Sequence, residues 1–146
     1  MTIKTFSADV KLISGLKVSG QSREFEIIID EPRTTGGTNT GMNPVEVLLN
    51  SLGACLVIAA KTFARSKKII LKSISVEVAG ELDPDGFMGE NPNAKKGFSK
   101  IITTFHIDAD NTQEEIEDYI AFVNSICPVH DTIAHAPEFE SKIVIK

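Results

Sequence analysis

The sequence predicts an α+β fold over residues 1–146, with its elements in the order ββαββαβ. Apolar and polar residues alternate with period two in five segments, which is typical of half-buried strands. In two other segments apolar residues recur at steps of three and four, which is typical of amphipathic helices. Stretches rich in glycine and proline separate these segments. A chain of this length can bury a core of its own, so we expect a single domain.

The two N-terminal strands are predicted to pair as a hairpin. Alternation of apolar and polar residues extends over residues 3–20 and again over residues 24–29. The Ser-Gly-Gln-Ser stretch at residues 19–22 is predicted to be the turn between them. A polar, glycine-rich loop follows over residues 30–42. It contains no GxGxxG or GK[ST] pattern, so nothing in it favours phosphate binding.

The longest predicted helix covers residues 43–67 and carries Cys55 at its centre. Asn43 is favoured as the N-cap and Pro44 at the first helical position. Glu46 lies three residues after Asn43 and can complete a capping box. Apolar residues surround most of this helix, which predicts burial on most sides. Its small residues, which would allow another element to approach closely, are Gly53, Ala54, Ala59 and Ala60.

Two further strands are predicted in the C-terminal half. The alternation returns over residues 69–82 and again over residues 98–108. The 83–97 stretch between them is rich in glycine and proline, and its length is typical of loops that are functional.

A second helix with a cysteine follows the fourth strand. Asn111 or Thr112 is favoured as its N-cap. Pro128 comes directly after Cys127 and should end the helix, because the residue before a proline is disfavoured in helical conformation. A short turn or helix is predicted next, and the last strand covers residues 139–145.

Composition excludes several classes of partner. The net charge is −5, with no basic cluster interleaved with aromatic residues, so we expect no nucleic acid. No uninterrupted apolar run approaches the roughly 18 residues of a membrane helix, and the first residues lack the apolar core of a secretion signal. We therefore expect no membrane partner and a cytoplasmic location. Two cysteines in that compartment should be reduced at rest, so a disulfide between them would be transient.

The two cysteines allow two interpretations. Cys55 and Cys127 are 72 residues apart, so they form neither a CxxC redox pair nor a zinc-ribbon motif. Free cysteines are often buried as small apolar residues, and inert packing would explain either one. Alternatively, helix packing brings them together as an attacking and a resolving thiol.

A reactive Cys55 would need a cation nearby. An apolar site raises the pKa of a thiol, although the thiolate is the nucleophile. The middle of a helix gains little from the helix dipole. The candidate cations are in loops, Arg23 and Arg33, and either one could instead be a solvated surface charge.

Glu46 is separated from Cys55 by nine helical steps, about 13 Å along the axis and roughly half a turn around it. It cannot touch the cysteine of its own helix. It is therefore either a helix cap alone or a residue that acts through a long arginine or in the site of a partner subunit.

A metal site has little support. Cys127 and His130 have a spacing that some metal sites use, but only one further cysteine exists. His106 and His135 lie in unrelated contexts. His130 could also serve as a base near Cys127. We expect neither a metal nor another cofactor.

Two motifs together resemble those of a known family. Asn43-Pro44-Val45-Glu46 precedes Leu52-Gly53-Ala54-Cys55, and Cys127-Pro128-Val129-His130 follows 72 residues after the first cysteine. Both motifs and the order of elements resemble the OsmC/Ohr family of thiol peroxidases, over nearly the whole chain. Family peroxidases place a glutamate directly after Asn-Pro, whereas this chain has Val45 there and Glu46 one position later.

The resemblance implies a fold, a partner and a chemistry. It implies an OsmC-like domain in which the long central helix packs against antiparallel sheet within an intertwined homodimer. It implies that Cys55 attacks a hydroperoxide, that Cys127 resolves the sulfenic acid as a disulfide, and that an external thiol or dithiol reductant, such as a lipoylated protein, resets the pair. Arg23 would stabilise the thiolate and Glu46 would orient that arginine.

Two functions follow as hypotheses from this resemblance. The first is a thiol-dependent peroxidase that reduces organic hydroperoxides, with Cys55, Cys127, Arg23 and Glu46 as its catalytic residues. The second is a non-catalytic or redox-sensing protein that binds a small hydrophobic ligand in the dimer cleft.

Overall fold

The structure, a computed structural model, describes all of residues 1–146. The chain divides into two compact units, residues 1–49 and residues 50–146. Antiparallel sheets and a long helix make up an α+β fold, as the sequence predicts. That the chain is one domain stays a prediction.

The first unit is built on a three-stranded antiparallel sheet. Its strands are β1 (Asp9–Ser14), β2 (Lys17–Ser22) and β3 (Phe25–Ile29), with β2 in the middle. The loop after β3 contains a short 3-10 helix, Arg33–Thr35. Helix α1 (Pro44–Phe63) then begins in this unit and continues into the second.

The prediction of one strand over residues 3–20 is wrong, because the chain turns back on itself within that range. Ser14 pairs with Lys17, which leaves Gly15 and Leu16 as a two-residue hairpin turn. Gly15 has a φ of +55°, and glycine adopts this conformation without steric cost.

The predicted turn at residues 19–22 is also wrong, since these residues belong to β2. Gly20 pairs with Ile27 in the middle of the sheet. A Cβ at Gly20 would lie 3.2 Å from Cγ2 of Ile27, so this glycine serves close packing rather than a turn. The turn comes instead at Arg23, whose φ is +55°, and Glu24.

Helix α1 begins as the sequence predicts. The backbone N–H of Asn43 donates to the Glu46 carboxylate and the backbone N–H of Glu46 donates to the Asn43 side chain, each at 2.9 Å. These reciprocal bonds form a capping box. Asn43 and Glu46 therefore satisfy two amides that the first turn of a helix leaves unpaired.

The regular part of α1 ends at Phe63, four residues before the predicted end. The backbone N–H of Lys68 donates to the carbonyl of Arg65 at 3.1 Å, and that of Ile69 donates to the carbonyl of Ala64 at 2.8 Å. Lys68 has a φ of +59°, so these bonds form a Schellman motif that ends the helical turn.

The second unit is built on a two-stranded antiparallel sheet of β4 (Leu71–Glu81) and β5 (Lys100–Ala109). The predicted loop between them contains a short helix, α2 (Pro84–Met88), capped by Asp83. Helix α3 (Gln113–Ile126) follows β5, and α4 (Pro128–Ala134) follows α3. Thr112 caps α3 in a capping box with Glu115, which confirms one of the two predicted caps.

The core of the second unit lies where α1 packs against the sheet and α3. A Cβ at Gly53 would lie 3.2 Å from Cγ2 of Val78, so this glycine brings α1 close to β4, as predicted for the small residues of the helix. The buried residues of the core are Leu52, Leu56, Ala59, Ala60, Ala64, Ile69, Tyr119, Val123 and Cys127. By length and composition alone α1 could also cross a membrane, a test that core helices of soluble proteins pass as well.

The predicted last strand, residues 139–145, does not form in the single chain. Residues after His135 have neither helix nor strand, and no strand of either sheet pairs with them. Their large apolar side chains are almost fully exposed, for example 85 % at Phe139 and 91 % at Ile145. The alternation of side chains suits a strand, but a strand requires a neighbour, and this chain offers none.

Candidate functional site

The two cysteines, 72 residues apart along the chain, are in contact. The Sγ atom of Cys127 lies 2.7 Å from the Sγ atom of Cys55, and both cysteines are free. Cys55 comes from the middle of α1, and Cys127 occupies the junction between α3 and α4. Of the two interpretations of the cysteines, the geometry favours the one that brings them together.

The junction between α3 and α4 fixes the position of Cys127. Pro128 cannot continue α3 and suits the first position of α4, so the chain must turn at Cys127. The Sγ atom of Cys127 accepts a hydrogen bond from the backbone N–H of His130 at 3.4 Å and so caps α4. The side chain is completely buried, at 0 % exposure. Its sulfur therefore has a fixed direction toward Cys55.

The two thiols differ in their surroundings. Burial raises the pKa of the Cys127 thiol, the contact with Cys55 raises it further, and the His130 amide opposes these effects in part. Cys127 therefore keeps its proton at neutral pH and is placed to donate it to the sulfur of Cys55. Cys55 is only partly buried. This asymmetry suits Cys55 as the sulfur that meets an external reagent.

An apolar groove of about 460 Å³ reaches Cys55. Ala54 and Ile58 of α1 form one side of it, and Ile126 and Val129 lie on the other. Ile58 is 65 % exposed, so the groove is open in the single chain. The groove can accept an apolar molecule directly beside the Cys55 sulfur.

The two candidate arginines lie in the first unit, whereas both cysteines lie in the second. Arg23 is in the turn between β2 and β3, and its Cζ atom lies 4.9 Å from the centre of the Phe25 ring. Arg33 opens the short 3-10 helix. Stabilisation of a Cys55 thiolate by either arginine stays a prediction.

Glu46 forms the capping box with Asn43, so the first of its two proposed roles has a structural basis. One carboxylate oxygen accepts the Asn43 amide. Its predicted role toward an arginine stays a prediction.

The sequence analysis missed Asp30, which organises the glycine-rich loop. This carboxylate is 2 % exposed and accepts hydrogen bonds from the hydroxyl and the backbone amide of Thr40 at 2.8 and 3.1 Å. It also accepts from the Thr38 hydroxyl and from the Glu31 amide. The hydrogen bond from the Thr38 hydroxyl holds the pKa of this carboxyl well below its usual range. Burial alone would raise the pKa, and the bonds from Thr40 and Glu31 lower it further. An aspartate at the end of a strand, before a loop rich in threonine, was the available signal.

Comparison with known proteins agrees with this architecture. A family model described as OsmC-like protein matches residues 37–142. The chain is 26 % identical over 144 residues to a hydroperoxide reductase of Mycoplasma genitalium, covering 97 % of this chain and 96 % of that protein. It is 29 % identical over 116 residues to a hydroperoxide reductase of Mycoplasma pneumoniae, covering 77 % and 74 % of the two chains.

A solved structure has the same fold. The crystal structure of an OsmC-like protein from Mycoplasma pneumoniae superposes with a TM-score of 0.80 at 26 % identity, covering 92 % of this chain and 91 % of that chain. Sequence and architecture therefore agree, and the chain belongs to the OsmC-like protein family.

Proposed function

We propose that the protein is a cytoplasmic, cysteine-based peroxidase that reduces organic hydroperoxides to alcohols. The observation that carries this proposal is the 2.7 Å separation between the Sγ atoms of Cys55 and Cys127. The Mycoplasma relatives named hydroperoxide reductase support the same reaction class. Thiols that reset a disulfide in every cycle are abundant in the reducing cytoplasm, which supports that location.

The reaction begins at Cys55. Its thiolate attacks the terminal oxygen of the hydroperoxide, the O–O bond breaks, and the alkoxide leaves as the alcohol after it takes a proton. Cys55 becomes a sulfenic acid. The partly buried sulfur beside an apolar groove supports a substrate that carries an alkyl chain.

Cys127 completes the oxidative half of the cycle. Its sulfur attacks the sulfenic sulfur of Cys55, the S–O bond breaks, and the hydroxide leaves as water with the Cys127 proton. An external thiol or dithiol then reduces the disulfide, and a lipoylated protein is one reductant of this kind. The contact between the two sulfurs supports this step because they are already neighbours in the dithiol state.

The remaining parts of the site are also proposals. Arg23, or Arg33 in its place, would stabilise the Cys55 thiolate, and Glu46 would orient the arginine. A homodimer would cover the apolar surface that the single chain exposes. Ile58 on α1 and the apolar residues of the last segment, such as Phe139 and Ile145, are largely exposed, which supports such a partner.

The test measures peroxide consumption with a dithiol reductant for the wild type, Cys55→Ser and Cys127→Ser. The proposal expects both variants to lose turnover, and it expects a sulfenic acid that dimedone traps at Cys55 in Cys127→Ser. Equal residual consumption in all three proteins would reject the peroxidase and favour the alternative, a protein that binds a small hydrophobic ligand in this groove.

The arginine has a separate test. Arg23→Ala should slow the first reaction of Cys55 with a hydroperoxide, and Arg33→Ala tests the alternative arginine in the same assay. If Arg33→Ala slows that reaction and Arg23→Ala does not, the role passes to Arg33. If neither variant changes the rate, the arginine proposal fails while the peroxidase proposal stands.

A further inference from the structure

A buried hydroxyl links the two helices that carry the cysteines. Tyr119 on α3 is 4 % exposed, and its hydroxyl donates a hydrogen bond to the backbone carbonyl of Ala60 on α1. Ala60 is completely buried as well. Burial raises the pKa of Tyr119, so the hydroxyl keeps the proton that it donates throughout the neutral pH range.

The bond lies about one and a half turns from the sulfur pair along α1 and about two turns from it along α3. Ala60 follows Cys55 by five residues, about 7.5 Å along α1. Tyr119 precedes Cys127 by eight residues, about 12 Å along α3. The two helices are therefore tied at two points, once by the tyrosine and once by the sulfurs.

The other contacts between these helices are less directional. Between the helices, the rings of Phe63 on α1 and Phe122 on α3 meet edge to face with centroids 5.6 Å apart. Within α3, Tyr119 stacks on Phe122 at 6.2 Å. Apolar packing tolerates small shifts of one helix along another, whereas a hydrogen bond weakens steeply when its angle changes. Tyr119 therefore restricts how α3 can slide or rotate against α1.

We propose that Tyr119 is a positioning residue that holds Cys127 against Cys55 for formation of the disulfide. In that step the S–S bond forms, the S–O bond of the Cys55 sulfenic acid breaks, and the Cys127 proton leaves with the hydroxide as water. The rate depends on how often the two sulfurs are in line. The catalytic consequence depends on the proposed peroxidase function, but the effect on the disulfide equilibrium does not.

The test compares Tyr119→Phe with the wild type. This variant keeps the ring and its stacking and removes only the hydroxyl. Ser125→Ala is the matched control, because the Ser125 hydroxyl donates to the carbonyl of Phe122 within α3 and does not link the helices. Circular dichroism establishes that all three proteins are folded.

Two readouts separate positioning from general stability. The first is the equilibrium of the cysteine pair with dithiothreitol. We expect Tyr119→Phe to form its disulfide less favourably, by up to about fivefold, since the full effect of one net hydrogen bond is the upper limit. The second is stopped-flow kinetics with an alkyl hydroperoxide. Closure of the disulfide should slow by a similar factor, whereas formation of the sulfenic acid should keep its rate.

The proposal is overturned if the equilibrium and the closure rate of Tyr119→Phe match those of the wild type. It is also overturned if both kinetic steps slow equally, or if Ser125→Ala shows the same loss, because either result indicates general destabilisation. If the protein consumes no hydroperoxide, diamide can oxidise the pair and the dithiothreitol equilibrium still tests Tyr119. Failure of the peroxidase proposal is thus distinguishable from failure of this one.

Discussion

The thiol of Cys127 is completely buried, while the sulfur that it contacts, that of Cys55, is partly open to an apolar groove. Exposure and thiolate content both control the rate of alkylation. Burial excludes reagents from Cys127 and raises the pKa of its thiol. The two cysteines, although only 2.7 Å apart, should therefore react at different rates.

We expect iodoacetamide at neutral pH to modify Cys55 at least about tenfold faster than it modifies Cys127. Peptide mass spectrometry over a time course gives both rates in one protein. Cys55→Ser isolates the rate of Cys127 alone and controls for any effect of the first modification on the second. Equal rates at the two positions would contradict the assignment of Cys55 as the accessible sulfur.

Tyr119 permits a direct optical measurement, since the chain has one tyrosine and no tryptophan. Burial raises the pKa of Tyr119 above its ordinary value of 10.0. Absorbance at the phenolate band during a titration to high pH should therefore show a midpoint above that of a free tyrosine. Denatured protein gives the reference titration, and coincident midpoints in the two states would contradict burial of the hydroxyl.

The raised pKa of Tyr119 should also make the stability of the protein depend on pH in the alkaline range. A pKa that is raised in the folded state contributes stability that is fully present below the unfolded pKa, and that stability is lost as the pH rises through the folded value. The melting temperature should thus fall more steeply above pH 10.0 in the wild type than in Tyr119→Phe.

Asp30 should govern the acid limb of stability. Its pKa is lowered in the folded state, so its contribution is present above the ordinary carboxyl pKa, about 4, and is lost as the pH falls toward the folded value. Asp30→Asn should lower the melting temperature by several degrees at neutral pH. The melting temperature of this variant should also depend less on pH in acid than that of the wild type.

The matched control for Asp30 is Asp9→Asn, the same substitution at a side chain that is 70 % exposed in an ion pair with Lys11. Surface ion pairs contribute little, so this variant should melt close to the wild type. If Asp30→Asn and Asp9→Asn have the same effect, the buried hydrogen bonds of Asp30 do not stabilise the loop.

Any side chain at position 37 should clash with the backbone, so Gly37 should resist substitution. A Cβ at this position would lie 1.9 Å from the carbonyl oxygen of Glu31, which is backbone and cannot move aside easily. We expect Gly37→Ala to reduce the free energy of unfolding by about 1–3 kcal/mol in denaturant titrations. Gly97→Ala is the control, because a Cβ there meets nothing within 4 Å and should change stability by less than about 0.5 kcal/mol.

Helix caps could be predicted from the sequence, whereas contacts between residues far apart along the chain could not. The capping boxes of Asn43 with Glu46 and of Thr112 with Glu115 need only a spacing of three residues, and both are present. The sequence could not identify Ala60 as the partner of the Tyr119 hydroxyl, because the two residues are 59 positions apart.

The errors have a common physical origin. Gly15 and Gly20 are the same residue type. Gly15 takes a left-handed conformation in a turn, whereas Gly20 makes room for a neighbouring strand. Only pairing between strands decides which role each glycine has. The last segment illustrates the same limit. The alternation over residues 139–145 indicates which side chains would share one face of a strand, but it does not identify a strand with which this segment could pair.

The role of Glu46 can be resolved because glutamine preserves the cap and removes the charge. The Asn43 amide donates to a carboxylate oxygen of Glu46, and an amide oxygen can accept the same bond. Glu46→Gln should therefore keep the free energy of unfolding within roughly 0.5 kcal/mol of the wild type. Asn43→Ala loses the cap itself and should cost about 1 kcal/mol.

Activity then separates the cap from the proposed orientation of an arginine. If the carboxylate orients a guanidinium, loss of its charge should reduce turnover about tenfold, the effect of a charged hydrogen bond, while the fold stays intact. Asn43→Ala should keep its turnover at temperatures well below its melting point, because it retains the charge. Full turnover in Glu46→Gln would restrict Glu46 to its role as a helix cap and remove it from the catalytic residues.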